Sequence, residues 1–164
     1  MKRIFCLFVI SLGILLPITS CGDNNKETQK DQNNKTATTM DTTKYDNASP
    51  EQLAGIKKAL DAYIEAAVKG DSKIAEPVFT ENATISHIEN DSLISLPIQA
   101  LFDYYNSDVC PQPASYEITV CNVSNDVAVV AIDSDFGGTK FDDMFSMVKD
   151  GKDWKIVSKI FHVK

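Results

Sequence analysis

The distribution of apolar and polar residues divides the 164-residue chain into three unlike segments. The first is a short apolar stretch behind a basic start, and the second is almost entirely polar. In the third segment, apolar positions recur with the periods of helices and strands. These patterns are typical of a signal peptide, a disordered linker and a folded domain. We therefore predict three segments: residues 1–20, 21–50 and 51–164.

The first segment has the pattern of an export signal. Lys2 and Arg3 precede an apolar run over residues 4–18, which is shorter than the roughly 20 residues that a transmembrane helix needs. The segment ends in Ile18-Thr19-Ser20-Cys21, which resembles the bacterial lipobox. That resemblance implies cleavage before the cysteine and acylation of Cys21, palmitate included. It also implies a lipoprotein of the bacterial cell envelope that faces the periplasm or the exterior.

The second segment consists mainly of Asn, Thr, Lys, Asp and Gln. A stretch of this composition cannot bury enough apolar surface to offset the entropy that it would lose on ordering. We therefore predict a disordered tether over residues 21–50, which joins the domain to the membrane through the lipid anchor.

The third segment begins with apolar residues spaced as in an α-helix. Ser49 is placed to cap a helix, with Pro50 in its first turn and Gln52 at the third position of a capping box. Gly70 is placed to end the helix. Apolar residues recur between these ends at spacings of three and four: Leu53, Ile56, Ala59, Leu60, Tyr63, Ile64 and Ala67. The pattern predicts an amphipathic helix of about five turns.

The following apolar positions predict two shorter helices and five strands. Asp71 and Ser95 are placed to begin the helices, and residues 83–88 form a short strand between them. Turn residues then separate four longer alternating stretches, which favour an antiparallel meander. These stretches are residues 116–123, 127–136, 141–148 and 154–163. The order predicts an α+β domain, with three N-terminal helices packed on one face of a curved, mostly antiparallel sheet.

Two stretches of the domain carry a family resemblance. They are Tyr63-Ile64-Glu65-Ala66-Ala67-Val68-Lys69-Gly70-Asp71 and the ending Asp150-Gly151-Lys152-Asp153-Trp154-Lys155-Ile156-Val157-Ser158-Lys159-Ile160-Phe161-His162. With the order of elements, they resemble the nuclear transport factor 2-like (NTF2-like, cystatin-like) superfamily, and within it the bacterial group described as "putative lumazine-binding". The resemblance implies a conical fold with a cavity between the concave face of the sheet and the helices. It also implies a small hydrophobic or pteridine-like ligand, and a homodimer formed through the outer face of the sheet.

Strand alternation predicts which residues face the cone. In the last strand, Trp154, Ile156, Ser158, Ile160 and His162 share one face, and Lys155, Val157, Lys159, Phe161 and Val163 share the other. The first set is mostly apolar, so we expect it to face the interior and the second set to form the outer, dimer-forming face. The predicted cavity lining comprises Tyr63, Phe102, Phe145, Met147, Trp154, Ile156 and Ser158.

Four polar residues are candidates for catalysis. Enzymes of the resembling fold place an Asp or His base and a Tyr or second Asp donor on the concave face, which here implies Asp133, Asp135 or His162 as base and Tyr104 as donor. A buried aspartate could have a raised pKa and act as a base. Alternatively, Asp133 and Asp135 lie where their strand emerges into solvent near the Gly137-Gly138 turn.

Charge and composition exclude several classes of function. Residues 51–164 contain ten lysines, no arginine and 18 acidic residues, for a net charge of -8. This charge argues against nucleic-acid binding, which needs a basic footprint. The two histidines lie far apart with no ligand spacing around them, so we predict no metal. The sequence has no Walker or Gly-x-Gly-x-x-Gly motif, and we predict no cofactor.

Cys110 and Cys121 are the two cysteines of the domain. In an oxidising compartment they could form a disulfide, whereas two buried thiols are the alternative.

Two functions from different classes fit these observations. In the first, a membrane-anchored extracytoplasmic lipoprotein binds a small molecule or a protein partner without catalysis. The alternative is a cofactor-independent lyase or isomerase of the ketosteroid isomerase or polyketide cyclase type, which requires at least two of the candidate groups to converge in an apolar pocket.

Overall fold

The computed structural model describes residues 47–164. The predicted signal peptide, the predicted acylation site Cys21 and nearly all of the predicted tether lie outside this range. Within it, no helix is both long and apolar enough to cross a membrane. The helices and strands are α1 (Pro50–Lys69), β1 (Phe79–Glu89), β2 (Ser92–Pro97), α2 (Gln99–Tyr105), β3 (Ala114–Ser124), β4 (Val127–Phe136), β5 (Thr139–Asp150) and β6 (Asp153–Val163).

Helix α1 has the ends that its sequence predicts. The Ser49 hydroxyl accepts a hydrogen bond from the Gln52 amide, and the Gln52 side chain accepts one from the Ser49 amide, so the capping box is formed. At the other end, Gly70 adopts the left-handed conformation that stops the helix, with φ of 64°. The apolar stripe of the helix packs on the sheet and contributes seven buried residues: Ile56, Ala59, Leu60, Tyr63, Ile64, Ala66 and Ala67.

One six-stranded sheet forms the other layer, in the order β2-β1-β6-β5-β4-β3. Strands β3 to β6 form the predicted antiparallel meander. Strand β1 pairs parallel to β6, and this is the parallel pair in an otherwise antiparallel sheet. The predicted α+β class, with helices packed on a mostly antiparallel sheet, is therefore confirmed.

The two shorter helices differ from the prediction. The segment capped by Asp71 forms two single 3-10 turns, Ser72–Ile74 and Glu76–Val78, because Pro77 has no amide hydrogen to continue an α-helix. Ser95 does not begin a helix, since it lies in β2, which pairs along the edge of β1. Helix α2 starts only after Pro97, which ends the edge strand.

A β-bulge in the last hairpin reverses the predicted faces of β6. The register between β5 and β6 shifts at Ser146 and Met147, and an extra residue in one strand turns every later side chain to the opposite face. Trp154 and Ile156 point inward as predicted, but Lys159 is 4% exposed and Ile160 is 54% exposed. Assigning Ser158, Ile160 and His162 to the interior was therefore wrong. The inner positions beyond the bulge are Lys159, Phe161 and Val163.

Candidate functional site

Large apolar side chains fill the space between sheet and helices. Six of the seven predicted lining residues are buried there: Tyr63, Phe102, Phe145, Met147, Trp154 and Ile156. Ser158 is the exception, because it pairs with the exposed residues Ser146 and Thr84 on the outer face of the sheet.

A polar cluster is buried within this apolar interior. We call it the Asp143 cluster; its members are Tyr63, Ser134, Asp143 and Lys159. Asp143 Oδ1 lies 2.5 Å from Lys159 Nζ, and Oδ2 accepts from the Ser134 hydroxyl at 2.7 Å. The Tyr63 hydroxyl also donates to Oδ2, over a longer distance of 3.4 Å. Three strands and α1 thus bring one acidic, one basic and two hydroxyl groups together.

Burial controls the electrostatics of the Asp143 cluster. It lowers the pKa of the Lys159 ammonium, and the charge of Asp143 opposes that shift. Burial also raises the pKa of Tyr63 well above its usual value, and Asp143 raises it further. Within residues 47–164, every buried side-chain nitrogen and oxygen has a hydrogen-bond partner. The Asp143 carboxylate is therefore an internal acceptor that protein donors already occupy.

The tyrosines in this interior should resist ionisation. The Tyr105 hydroxyl donates to the Tyr63 carbonyl oxygen at 3.2 Å, and burial raises the pKa of Tyr105 as it does that of Tyr63. Because both phenols stay protonated in the folded chain while unfolded tyrosine ionises near pH 10, stability is fully present below that pH and falls as the pH rises beyond it. In a titration followed at about 295 nm, we expect two tyrosines to ionise only when the chain unfolds. Ionisation of all tyrosines before the loss of circular dichroism would contradict this expectation.

Four partly exposed rings lie next to the Asp143 cluster, on the same inner face of the sheet. We call them the mouth rings: His87, Phe136, Phe141 and Phe161. Phe161 stacks on His87 with ring centroids 4.6 Å apart, and Phe141 lies edge-on to both Phe136 and Phe161 at 5.8 and 5.9 Å. Phe136 also contacts the Tyr63 ring, at 5.8 Å. The mouth rings therefore lie between solvent and the Asp143 cluster.

The structure does not bring the four predicted catalytic residues together. Asp133 and His162 lie on the exposed outer face, where Lys164 bridges Asp133 and Asp142 at 3.1 and 2.8 Å. The Asp135 carboxylate accepts from the Gly138 amide at 2.7 Å, as part of the turn after β4. Tyr104 is on α2, where it accepts from the Gln112 amide at 2.8 Å.

Sequence reasoning missed Asp143 and Lys159 as site residues. Asp143 alternates with Phe141, Phe145 and Met147, and a charge in such an apolar row is a signal for a buried, paired group. Lys159 carried no corresponding signal, because the bulge that turns it inward has no mark in the sequence.

Cys110 and Cys121 are both buried and free in the structure. Cys110 lies in the loop after α2, whereas Cys121 lies within β3 and pairs with Val130. Burial raises the pKa of both thiols. Of the two alternatives, the structure therefore has the buried thiols and not the disulfide. No group of three potential metal ligands occurs within residues 47–164.

Comparison with known proteins identifies a family that the chain matches in sequence. The sequence model of the family described as "Putative lumazine-binding" matches residues 51–162. No match to the chain was found among curated proteins.

Solved structures share the fold. An NTF2-like protein of unknown function from Shewanella baltica OS155 has 34% identity and a TM-score of 0.66, over 72% of this chain and 98% of that chain. An NTF2-like protein of unknown function from Methylobacillus flagellatus KT has 28% identity and a TM-score of 0.65, over 74% and 99% of the two chains. A ketosteroid isomerase-like protein from Erwinia carotovora atroseptica SCRI1043 has 18% identity and a TM-score of 0.54, over 70% and 98%. The likeness to this third structure concerns the fold alone.

Proposed function

Because this chain belongs to the "Putative lumazine-binding" family of NTF2-like domains, we propose that it is a lipid-anchored extracytoplasmic protein whose domain binds a small, flat molecule without catalysing a reaction. The observation that carries this proposal is the internal pairing of the Asp143 cluster. In the interior of the cone, the buried carboxylate already receives hydrogen bonds from Lys159, Ser134 and Tyr63.

This pairing favours binding over the lyase or isomerase alternative. A general base needs a free acceptor within hydrogen-bond reach of a substrate proton. Both oxygens of Asp143 already accept hydrogen bonds from protein donors, and Asp133, Asp135 and His162 are engaged elsewhere or exposed on the outer face. A paired, satisfied cluster instead supports a rigid wall against which a ligand can pack.

Pteridines are the first ligand class to test, since the family description names lumazine and the mouth rings are partly exposed aromatic groups. We expect lumazine or a flavin precursor to raise the melting temperature of the full-length chain. At a ligand concentration of about 100 times Kd, the added stability would be roughly 2.7 kcal/mol. Chromatography of the recovered ligand should show it unchanged. Absence of any shift with all pteridines would count against this ligand class, and conversion of the ligand would support an enzyme.

The proposed membrane anchor depends on Cys21, and Cys6 in the predicted signal peptide provides a matched control. When the full-length gene is expressed in a bacterium, we expect the protein to fractionate with membranes and to carry acyl groups detectable by mass spectrometry. Cys21→Ser should abolish both properties, because two acyl chains are needed for stable anchoring. Cys6→Ser should leave both unchanged, since Cys6 lies within the part that cleavage removes. Membrane association that survives Cys21→Ser would contradict the proposed anchor.

A homodimer through the outer face of the sheet is part of this proposal. The bulge changes which residues form that face. Four of them align across β3 to β6 in one apolar row: Val120, Ala131, Met144 and Ile160. Three of these are at least half exposed: Val120 at 50%, Met144 at 54% and Ile160 at 54%. An exposed apolar row that crosses four strands supports an isologous contact with a second copy.

We therefore expect Ile160→Asp to convert a dimer into a monomer. A carboxylate at the centre of an apolar contact would be desolvated on each side of the two-fold axis. The mass measured by light scattering should fall by half, with the circular dichroism spectrum unchanged. Val109→Asp is the matched control, because Val109 is equally exposed but lies in the loop after α2. A wild-type chain that is monomeric at all concentrations would contradict the proposed dimer.

A further inference from the structure

Strand β2 forms one edge of the sheet, and part of its backbone faces away from the other strands. The Ile98 amide donates to the Ala83 carbonyl oxygen at 2.9 Å, in line with the paired register of β1 and β2. Hydrogen-bonded and non-hydrogen-bonded pairs alternate along an antiparallel ladder. Counting back from Ile98, the backbone groups of Leu93 and Ser95 therefore point outward, where the described part of the chain supplies no partner.

This edge lacks the features that usually prevent further strand pairing, which are charged side chains and bulges. Residues 92–97 carry no charge and pair with β1 without a register shift. Leu93 is 71% exposed, and its partner Ile88 in β1 is 65% exposed. At the opposite edge of the sheet, β3 has a register shift between Ile118 and Val120. Strand β2 is therefore the edge that is open to an additional strand.

A second copy of β2 complements this edge in an antiparallel register, with a two-fold axis at Ile94. Leu93 of each copy then lies opposite Ser95 of the other copy, and the two residues exchange both of their backbone hydrogen bonds. Pro97 has no amide hydrogen to donate, and in this register it lies opposite Asp91, beyond the hydrogen-bonded residues. No like charges face each other across the contact, so the edge is complementary to itself.

We infer that β2 is an interaction surface for β2 of a second copy, and that it joins copies of this protein anchored in the same membrane. The contact involves a strand of six residues from each copy, which is less than the interface of a stable dimer. Anchoring raises the local concentration of the domains and makes so small a contact effective. In dilute solution the proposed outer-face dimer remains separate. The inference rests on the proposed anchor and adds a second contact between copies.

The tether of the same chain is poorly suited to this edge. It joins the domain at the start of α1, where the Gln52 side chain donates to the Asn125 carbonyl oxygen at 2.9 Å. Asn125 lies in the turn between β3 and β4, at the opposite side of the sheet from β2. Residues 21–46 also lack the alternating apolar residues that would pair with those of β2. A second copy is therefore favoured over the tether.

Disulfide crosslinking tests the register in bacterial membranes that contain the full-length protein. In the inferred contact Ile94 lies opposite Ile94 of the second copy in a non-hydrogen-bonded pair, where Cα atoms are about 4.5 Å apart, within the range of a disulfide. Under mild oxidation, we expect Ile94→Cys to give covalent dimers on a non-reducing gel. Val109→Cys is the control, because Val109 is 55% exposed but lies in the loop after α2. The natural thiols Cys110 and Cys121 are buried.

A second pair of variants separates backbone pairing from chance collision. In I94C/S95P the outward amide of residue 95 is absent from both copies, and an edge strand tolerates proline where its amide faces solvent. The crosslinked fraction should fall about tenfold, as expected for the loss of a hydrogen bond from each copy. I94C/S95A retains the amide and loses only the hydroxyl that contacts Ser86. It should crosslink like Ile94→Cys, and circular dichroism verifies that both double variants fold. Equal crosslinking of the two double variants would overturn the inference.

Membrane fractionation distinguishes failure of this inference from failure of the proposed anchor. If the protein fractionates with membranes but Ile94→Cys crosslinks no better than Val109→Cys, the inference fails and the anchor stands. If the protein does not anchor, the same variants are oxidised as purified chains at about millimolar concentration, comparable to the effective concentration of tethered partners. Selective crosslinking there retains the edge pairing, and its absence refutes it. A crosslink from Ile94→Cys to a different protein would assign the edge to another partner and would also refute the inference.

Discussion

Lys159→Met is expected to lower the free energy of unfolding by about 3–5 kcal/mol, the usual cost of removing one partner of a buried ion pair. The substitution leaves the Asp143 carboxylate in an interior where the Asp143 side chain is fully buried. Ser134 and Tyr63 can still donate to it, but neither supplies a positive charge. Urea denaturation followed by circular dichroism measures this decrease in the free energy of unfolding. A decrease of this size is a large fraction of the total stability of a small domain.

A second variant separates charge pairing from simple loss of a side chain. In D143N/K159M the buried charges are both absent, while the Asn side chain can still accept from Ser134. We expect this variant to recover most of the stability that Lys159→Met loses, because uncharged replacements of a buried ion pair are often tolerated. Lys152→Met should fall within about 0.5 kcal/mol of wild type, as surface substitutions do. A Lys159→Met variant as stable as wild type would show that the pair is absent in solution.

Trp154→Ala is expected to cost about 3–5 kcal/mol, in the range found for large aromatic residues removed from a core. The indole is 2% exposed and lies against α1. At Gly55 of that helix, a Cβ atom would come within 2.7 Å of Trp154 Cδ1. The backbone of α1 therefore already contacts the indole ring, because residue 55 has no side chain. Neighbouring groups have little freedom to move into the cavity that Trp154→Ala would leave. Denaturation of Trp154→Ala, followed by circular dichroism, measures this cost.

Val157→Ala on the same strand is the control for Trp154→Ala. Val157 is 37% exposed on the outer face, so its truncation should cost less than about 1 kcal/mol. Equal losses in the free energy of unfolding for the two substitutions would mean that Trp154 is not tightly packed between β6 and α1.

The main elements could be predicted because local signals determine them. Ser49, Gln52 and Gly70 mark the ends of α1 through capping, which depends on residues within a few positions of one another. Turn residues and alternation likewise define the β3–β6 meander. Strand β2 was missed because its pairing with β1 is a tertiary contact. Its Ser95 and Pro97 also have the residue types of a helix start.

The candidate site was less predictable because it depends on long-range geometry. Tyr63 and Asp143 are 80 positions apart in the sequence, and Ser134 and Asp143 meet only through the β4–β5 pairing. A one-residue bulge then decides that Lys159, and not Ile160, faces the interior. Assignment of a site from strand alternation therefore fails beyond the first irregularity of the strand.

An NMR titration with lumazine tests most directly whether the cone binds its ligand at the mouth rings. With the full-length, isotopically labelled chain, we expect amide shifts concentrated near His87, Phe136, Phe141 and Phe161, with little change around Trp154 at the filled end of the core. The lumazine spectrum should remain that of the intact compound throughout. Shifts centred on the outer face around Met144 and Ile160, no shifts at saturating ligand, or conversion of lumazine would each contradict a non-catalytic site at the mouth of the cone.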